Sequence, residues 1–163
     1  MAQFSIRVAK ENLKFSAAHF IAYPGFREPL HGHNYQVGIE LEGRLAANGY
    51  VLDFGLIKKL AQQVVAQLDE HTIIPAHSDC LEICQREGQV TVICADDRFV
   101  FPSADVALLP ITHSSAEELA QFIWTKLHDE LAQRQALGGL NAMAVSVAEG
   151  PGQAAIYRQE LSR

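Results

Sequence analysis

The run Tyr35-Gln36-Val37-Gly38-Ile39-Glu40-Leu41-Glu42 alternates polar and apolar positions, and that period of two constrains the fold more than any other feature. Strand side chains point alternately to opposite faces, so Val37, Ile39 and Leu41 share one face that has to be buried. Two helical patterns are available to cover it. After Asp53, a suitable N-cap, Leu56, Ile57, Leu60, Val64 and Leu68 recur at helical spacing. After Ser114 or Ser115, with Glu117 or Glu118 placed for a capping box, Leu119, Phe122, Ile123 and Leu127 do the same, and Trp124 falls with this stripe.

Further strands are expected on either side. Residues from about Phe4 to Phe20 read as strand with a kink near Lys10-Glu11-Asn12, followed by a turn-rich loop from Tyr23 to Pro29. The first helical unit ends at Ile73-Ile74-Pro75. Gln89–Cys94 and Arg98–Pro102 flank Ala95-Asp96-Asp97 as a hairpin. Two last strands, Ala142–Ala148 and Ala154–Leu161, are separated by Glu149-Gly150-Pro151-Gly152. The order strand pair, helix, hairpin, helix, strand pair predicts one α+β domain over residues 1–163 whose main strands pair antiparallel.

A formal charge of −6 argues against nucleic acid or an anionic membrane as partner, because phosphate binding needs a basic face. The N-terminal residues lack the basic and apolar regions of a signal peptide, and no apolar stretch is long enough to span a bilayer. Cys80, Cys84 and Cys94 are an odd number without framework spacing, which fits reduced thiols and a cytoplasmic protein. Cys80 and Cys84 with His77 do not make a second zinc site.

The chemistry concentrates in histidines. His31 and His33 in His31-Gly32-His33-Asn34-Tyr35 point to one face of a strand, and His19 stands upstream at the end of Phe15-Ser16-Ala17-Ala18-His19. Three neutral imidazoles with a fourth position open are a usual catalytic zinc arrangement. Taken alone, a His-x-His pair is better explained by polar strand residues beside a turn.

Other motifs settle that choice by their order: Val51-Leu52-Asp53-Phe54, Leu68-Asp69, Ser115-Ala116-Glu117-Glu118-Leu119-Ala120 through Trp124, and Val145 to Glu149. With the histidine segments, they resemble the 6-pyruvoyl-tetrahydropterin synthase and 6-carboxy-tetrahydropterin synthase family over nearly the whole chain. The stretch from about His77 to Leu109 stands outside the resemblance and looks like an insertion carrying the hairpin. The family resemblance implies the tunnelling fold: a four-stranded antiparallel sheet with two helices on one side, assembled into homo-hexamers or other homo-oligomers with active sites at subunit interfaces.

The resemblance also implies roles. His19, His31 and His33 match the zinc (Zn2+) ligands, and Glu149 matches the carboxylate that anchors the pterin ring by accepting two parallel N–H donors. Ser115, where the family usually has threonine, is expected to touch the ring or to cap its helix. The family's general-base cysteine before His-Gly-His is missing: the chain has Phe26-Arg27-Glu28-Pro29-Leu30 there. Glu28 is the natural substitute, and flanking Phe26 and Leu30 are expected to desolvate it. Arg27 is a candidate partner for substrate phosphates. Where the family carries an Asp-His pair, this chain reads Leu68-Asp69-Glu70-His71, so Asp69 and His71 are candidate proton carriers with the histidine one place late.

The expected activity is zinc-dependent conversion of the side chain of 7,8-dihydroneopterin or its triphosphate, of lyase, aldolase or synthase type. Family members with glutamate in place of the cysteine are associated with a 6-hydroxymethyl product, favoured here over 6-pyruvoyl and 6-carboxy products. The opposing expectation is a non-catalytic member that binds zinc and pterin but has lost its proton-transfer groups.

Overall fold

The structure, a computed structural model, describes residues 3–161, with the backbone alone for 10–12. Strand β1 (Phe4–His19) turns through two short strands, β2 (Ala22–Tyr23) and β3 (Phe26–Arg27), into β4 (His31–Gly43). Helix α1 (Phe54–Val65) leads to β5 (His71–Pro75). Three strands follow, β6 (Glu82–Arg86), β7 (Gln89–Cys94) and β8 (Asp97–Pro102), then β9 (Val106–Leu109). Helix α2 (Ala116–Gln133) and the pair β10 (Leu140–Gly150) and β11 (Gln153–Glu160) complete the chain.

The alternation of β4 is realised as expected: Tyr35, Val37, Ile39 and Leu41 are buried in one core with both helices. On β1 the buried set changes parity, from Val8 to Leu13, Phe15 and Ala17. The cause is the predicted kink. Between the pairs Ala9↔Gly38 and Lys14↔Gln36, β1 advances five residues while β4 advances two. Three extra residues, an odd number, move every later side chain to the other face. Asp53 caps α1 by accepting from the Gly55 N–H, and Ser115 caps α2 by accepting from the Glu118 N–H. Trp124 is core, its indole donating to the Met143 carbonyl at 2.8 Å.

The main sheet has the order β11-β10-β4-β1-β5-β9. The expected antiparallel four are present, but the sheet continues: β5 pairs parallel to β1, and β9 parallel to β5. The sequence does not announce β5, because Ile73 and Ile74 are an unbroken apolar pair. Ile73 belongs to the helix-side core and Ile74 to a second cluster with Phe20, Ala22, Val90 and Val92 on the other side. A strand buried on both faces shows no alternation. The second cluster is roofed by the antiparallel sheet β6-β7-β8, which contains the predicted hairpin plus one strand more.

Gly43 lies where β4 passes the segment leading into β10. A Cβ there would meet the Gly139 carbonyl oxygen at 2.5 Å and Val51 Cγ1 at 3.0 Å. Gly43→Ala should destabilise the protein by about 1–3 kcal/mol, read as a lower urea midpoint with unchanged slope. An unchanged midpoint would show that the contact relaxes freely.

Candidate metal centre and substrate cleft

Pairing of β1 with β4 sets His19 opposite His31 and Ala17 opposite His33. Residues 15, 17 and 19 of β1 and 31, 33 and 35 of β4 therefore share the helix-side face at the open end of the sheet. The three histidines bring one nitrogen each within 4.8 Å of one another. Their ring centroids are 4.7, 5.2 and 4.9 Å apart. Among the described residues this is the one cluster of metal-ligand side chains. Cys80, Cys84 and Cys94 are free thiols away from it.

Two of the rings are aimed by main-chain carbonyls. His19 Nδ1 donates to the Ser114 carbonyl at 2.7 Å, and His31 Nδ1 donates to the Pro29 carbonyl at 2.8 Å. Fixing one nitrogen as N–H leaves Nε2 with its lone pair exposed to a cation. His19 is buried, and its Nε2 has no hydrogen-bond partner. Burial holds the His19 imidazole below the ordinary histidine value, against the Ser114 hydrogen bond and the Glu149 charge that raise it. It is thus kept in the neutral, ligating form. An orphaned buried nitrogen, two fixed tautomers and an all-imidazole donor set fit a divalent metal.

Tyr35 adds a feature that sequence reasoning passed over. Its ring stacks on Phe15 at 4.6 Å and presents its edge geometry to His19 and His33. The hydroxyl is buried without a partner. Burial pushes the phenol well above its ordinary value, and the Glu149 and Glu28 charges push the same way. Both carboxylates therefore lie within electrostatic reach of Tyr35, and Glu149 within reach of His19 as well.

Glu149, near the end of β10, has Oε1 3.9 Å from His19 Nε2 and is a quarter exposed. It lines a cleft of about 310 Å³ with Ser115, Glu117, Val147, Gln153 and Ala155. Glu149 and Ser115, predicted from distant parts of the chain, are thus brought together beside the histidines. Ser115 also caps α2. Its neighbour Ser114 is fully buried; its hydroxyl donates to the Phe20 carbonyl at 2.9 Å, and its own carbonyl aims His19. Because a backbone oxygen does the aiming, no side-chain motif could have marked it.

Glu28 is held by the strand-to-loop junction that follows His19. Its carboxylate accepts from the Ile21 N–H at 3.1 Å, and its own N–H donates to the Ile21 carbonyl at 2.9 Å. The expected apolar wall is absent: Phe26 is 45% and Leu30 39% exposed, and Phe26 stacks on Tyr23 instead. Main-chain hydrogen bonds position this carboxylate. Arg27, expected to meet phosphate, has both Nε and Nη2 on Asp97 Oδ2 at 2.8 and 2.6 Å, and Nη1 on the Glu28 carbonyl.

The one-place delay of His71 is absorbed at Glu70, whose φ is +59°. That left-handed residue lets the chain enter β5, with His71 opposite Ala17. His71 and His33 line one groove with Ser16, Asn34 and Asp105. Asp69 reaches His71 through its carbonyl, which accepts from His71 Nδ1 at 2.6 Å. Its carboxylate is occupied by the Ser16 N–H at 2.7 Å, so the two side chains do not form the direct pair the sequence suggests. Neither Asp69 nor His71 lines the Glu149 cleft.

The fold and site define an α+β protein with a tri-histidine centre between a carboxylate-lined cleft and a histidine-lined groove. The family model for 6-pyruvoyl tetrahydropterin synthase matches residues 7–160, and the chain belongs to that family. A Methanocaldococcus jannaschii relative, provisionally named a 6-carboxy-5,6,7,8-tetrahydropterin synthase, is 32% identical over 91% of each chain. The crystal structure of 6-pyruvoyl tetrahydropterin synthase from Plasmodium vivax is 37% identical, with a TM-score of 0.94 over 99% of this chain and 100% of that one. Residues 77–109 are therefore within the part shared with that structure. Two further structures of the Plasmodium vivax protein are catalytic-residue mutants in which a glutamate is replaced by alanine or by cysteine. A Pyrococcus furiosus dihydroneopterin monophosphate aldolase is 37% identical over 36% of this chain and 50% of its own.

The arrangement of His19, His31 and His33 could hold a metal ion through one nitrogen from each. His31→Ala should lose bound metal by elemental analysis while keeping its circular-dichroism spectrum, because His31 is exposed and outside the core. Full metal content in that variant would place the metal elsewhere.

Proposed function

We propose that this protein is a zinc-dependent lyase that shortens the side chain of 7,8-dihydroneopterin or its triphosphate to give 6-hydroxymethyl-dihydropterin, with Glu28 as general base. The observation that carries the proposal is a carboxylate fixed by the Ile21 main chain ahead of His31, in a chain whose cysteines all lie elsewhere. The Plasmodium vivax protein, with a catalytic glutamate, supports the same assignment. The aldolase similarity to the Pyrococcus furiosus protein points the same way.

The ring half of the substrate suits the Glu149 cleft. A carboxylate accepts the ring's amino and neighbouring N–H protons together, and Ser115 can add a contact at the helix start. This places the side chain toward His19, 3.9 Å from the anchoring carboxylate. A zinc ion held by His19, His31 and His33 would supply Lewis-acid stabilisation of negative charge developing on side-chain oxygen. Glu28 takes the proton of the second side-chain hydroxyl as its oxygen becomes a carbonyl and the adjacent C–C bond breaks. The released electron pair passes into the ring system, and the remaining side-chain carbon is reprotonated. His71, steadied by the Asp69 carbonyl, is the proposed carrier for that proton.

Away from the part roofed by β6-β7-β8, Ile156 of β11 is 69% exposed, and β11 and β9 leave open edges. These features support a homo-oligomer, which would also close the two concavities flanking the histidines.

Glu28→Gln should lower kcat for 7,8-dihydroneopterin by roughly 10²–10⁴-fold with metal content unchanged. Undiminished turnover would remove Glu28 from the chemistry. Glu149→Gln should instead act on binding, raising KM roughly 10- to 100-fold, as expected for loss of a charged hydrogen-bond fork. A kcat loss at unchanged KM would reverse those two roles. Pterin binding by equilibrium dialysis without turnover by the native protein would mark a binder.

A further inference from the structure

We propose that Arg27 is a positioning residue for Glu28, braced from outside the loop by Asp97 of the β6-β7-β8 sheet. The inference rests on Glu28 being the base and assigns a task to the small sheet, which contributes no side chain to the histidine cluster.

Glu28 is tied at two points. Its side chain and its N–H both bond to Ile21, closing the chain around the Ala22–Arg27 hairpin. Its carbonyl accepts from Arg27 Nη1 at 2.6 Å. The same guanidinium turns its other edge to Asp97, where Nε and Nη2 both donate to Oδ2. The Arg27 guanidinium carbon also lies near two aromatic rings, 5.8 Å from the Phe20 centroid and 5.0 Å from that of Phe99. Those two rings stack on each other at 5.0 Å, and Phe20 follows the ligand His19 directly. Every donor group of Arg27 that the structure engages faces the Glu28 backbone or β8, and none faces the Glu149 cleft.

The brace sets geometry more than stability. Asp97 is 56% and Arg27 23% exposed, and ion pairs in such settings add little to folding free energy. A base, in contrast, is sensitive to placement, because small displacements of a catalytic group cost large factors in rate. Only arginine can serve both ends: the fork engages Asp97 while the third nitrogen reaches the Glu28 carbonyl, and a lysine ammonium has no such span.

The test compares metal-loaded native protein with Asp97→Asn, Arg27→Gln, the double variant and Glu28→Gln, each on 7,8-dihydroneopterin and on its triphosphate. Metal content and thermal midpoint are measured alongside. Asp97→Asn should lower kcat about tenfold and Arg27→Gln about ten- to a hundredfold, with KM, metal content and midpoint near native. The double variant should be no slower than Arg27→Gln, since both act through one contact. In both single variants the loss should fall on kcat and leave KM near native, a split that a purely structural contact would not cause. Native kcat in Asp97→Asn, with Glu28→Gln inactive, would overturn the brace and leave the base standing. A rise in KM confined to the triphosphate in Arg27→Gln would overturn it in favour of phosphate binding. Native activity in Glu28→Gln would overturn both assignments.

Discussion

The antiparallel register that sets His19 against His31 is the constraint on which the rest depends. A slip of one residue would turn His31 and His33 to the opposite face of the sheet, and with them Tyr35, Val37, Ile39 and Leu41. The hydrophobic alternation that buries the core therefore also fixes which histidines meet. The bulge in β1 belongs to the same arrangement, because its odd number of extra residues returns Phe15, Ala17 and His19 to the face that β4 buries. Burying an imidazole with an unpaired nitrogen costs about 1–3 kcal/mol. That cost is offset when a cation takes the lone pair, so metal binding and order at this end of the sheet should reinforce each other.

Around that centre the chain divides its work by element. The end of β10 supplies the cleft carboxylate, Glu149, and the start of α2 supplies Ser115 and the carbonyl of Ser114 that aims His19. The loop before β4 supplies Glu28, and the strand after α1 supplies His71. Two concavities meet at the histidines, one carrying Glu149 and the other His71. We propose that charge stabilisation at the histidines, with Glu28 and His71 as proton carriers, serves side-chain cleavage. The β6-β7-β8 sheet stands apart from the histidines and packs on Phe20 and Ala22, where it can hold the loop that carries Glu28.

The sequence made the alternating strand, both helix caps and the tri-histidine centre readable, because each is a local pattern with a local physical cause. Glu149 and Ser115 were legible through family resemblance, and the cleft they share could only come from folding. Three features escaped for identifiable reasons. The parallel strands β5 and β9 lack alternation where Ile73 and Ile74 bury opposite faces. The placement of His71 depends on a left-handed Glu70, a conformation that glutamate rarely adopts and that no motif signals. The partner of Arg27 is Asp97, seventy residues away, so a conspicuous cation beside the site read as a phosphate ligand when its contacts are internal. The apolar neighbours of Glu28 misled in the same manner: adjacency in sequence suggested burial, whereas Phe26 and Leu30 face outward.

The central claim concerns which bond of the side chain is broken, and product mass tests it most directly. Zinc-loaded protein is mixed with 7,8-dihydroneopterin and, separately, with its triphosphate, and the pterin products are identified by mass spectrometry. The account predicts 6-hydroxymethyl-dihydropterin. A 6-pyruvoyl or 6-carboxy product, or recovery of both compounds unchanged, would contradict it.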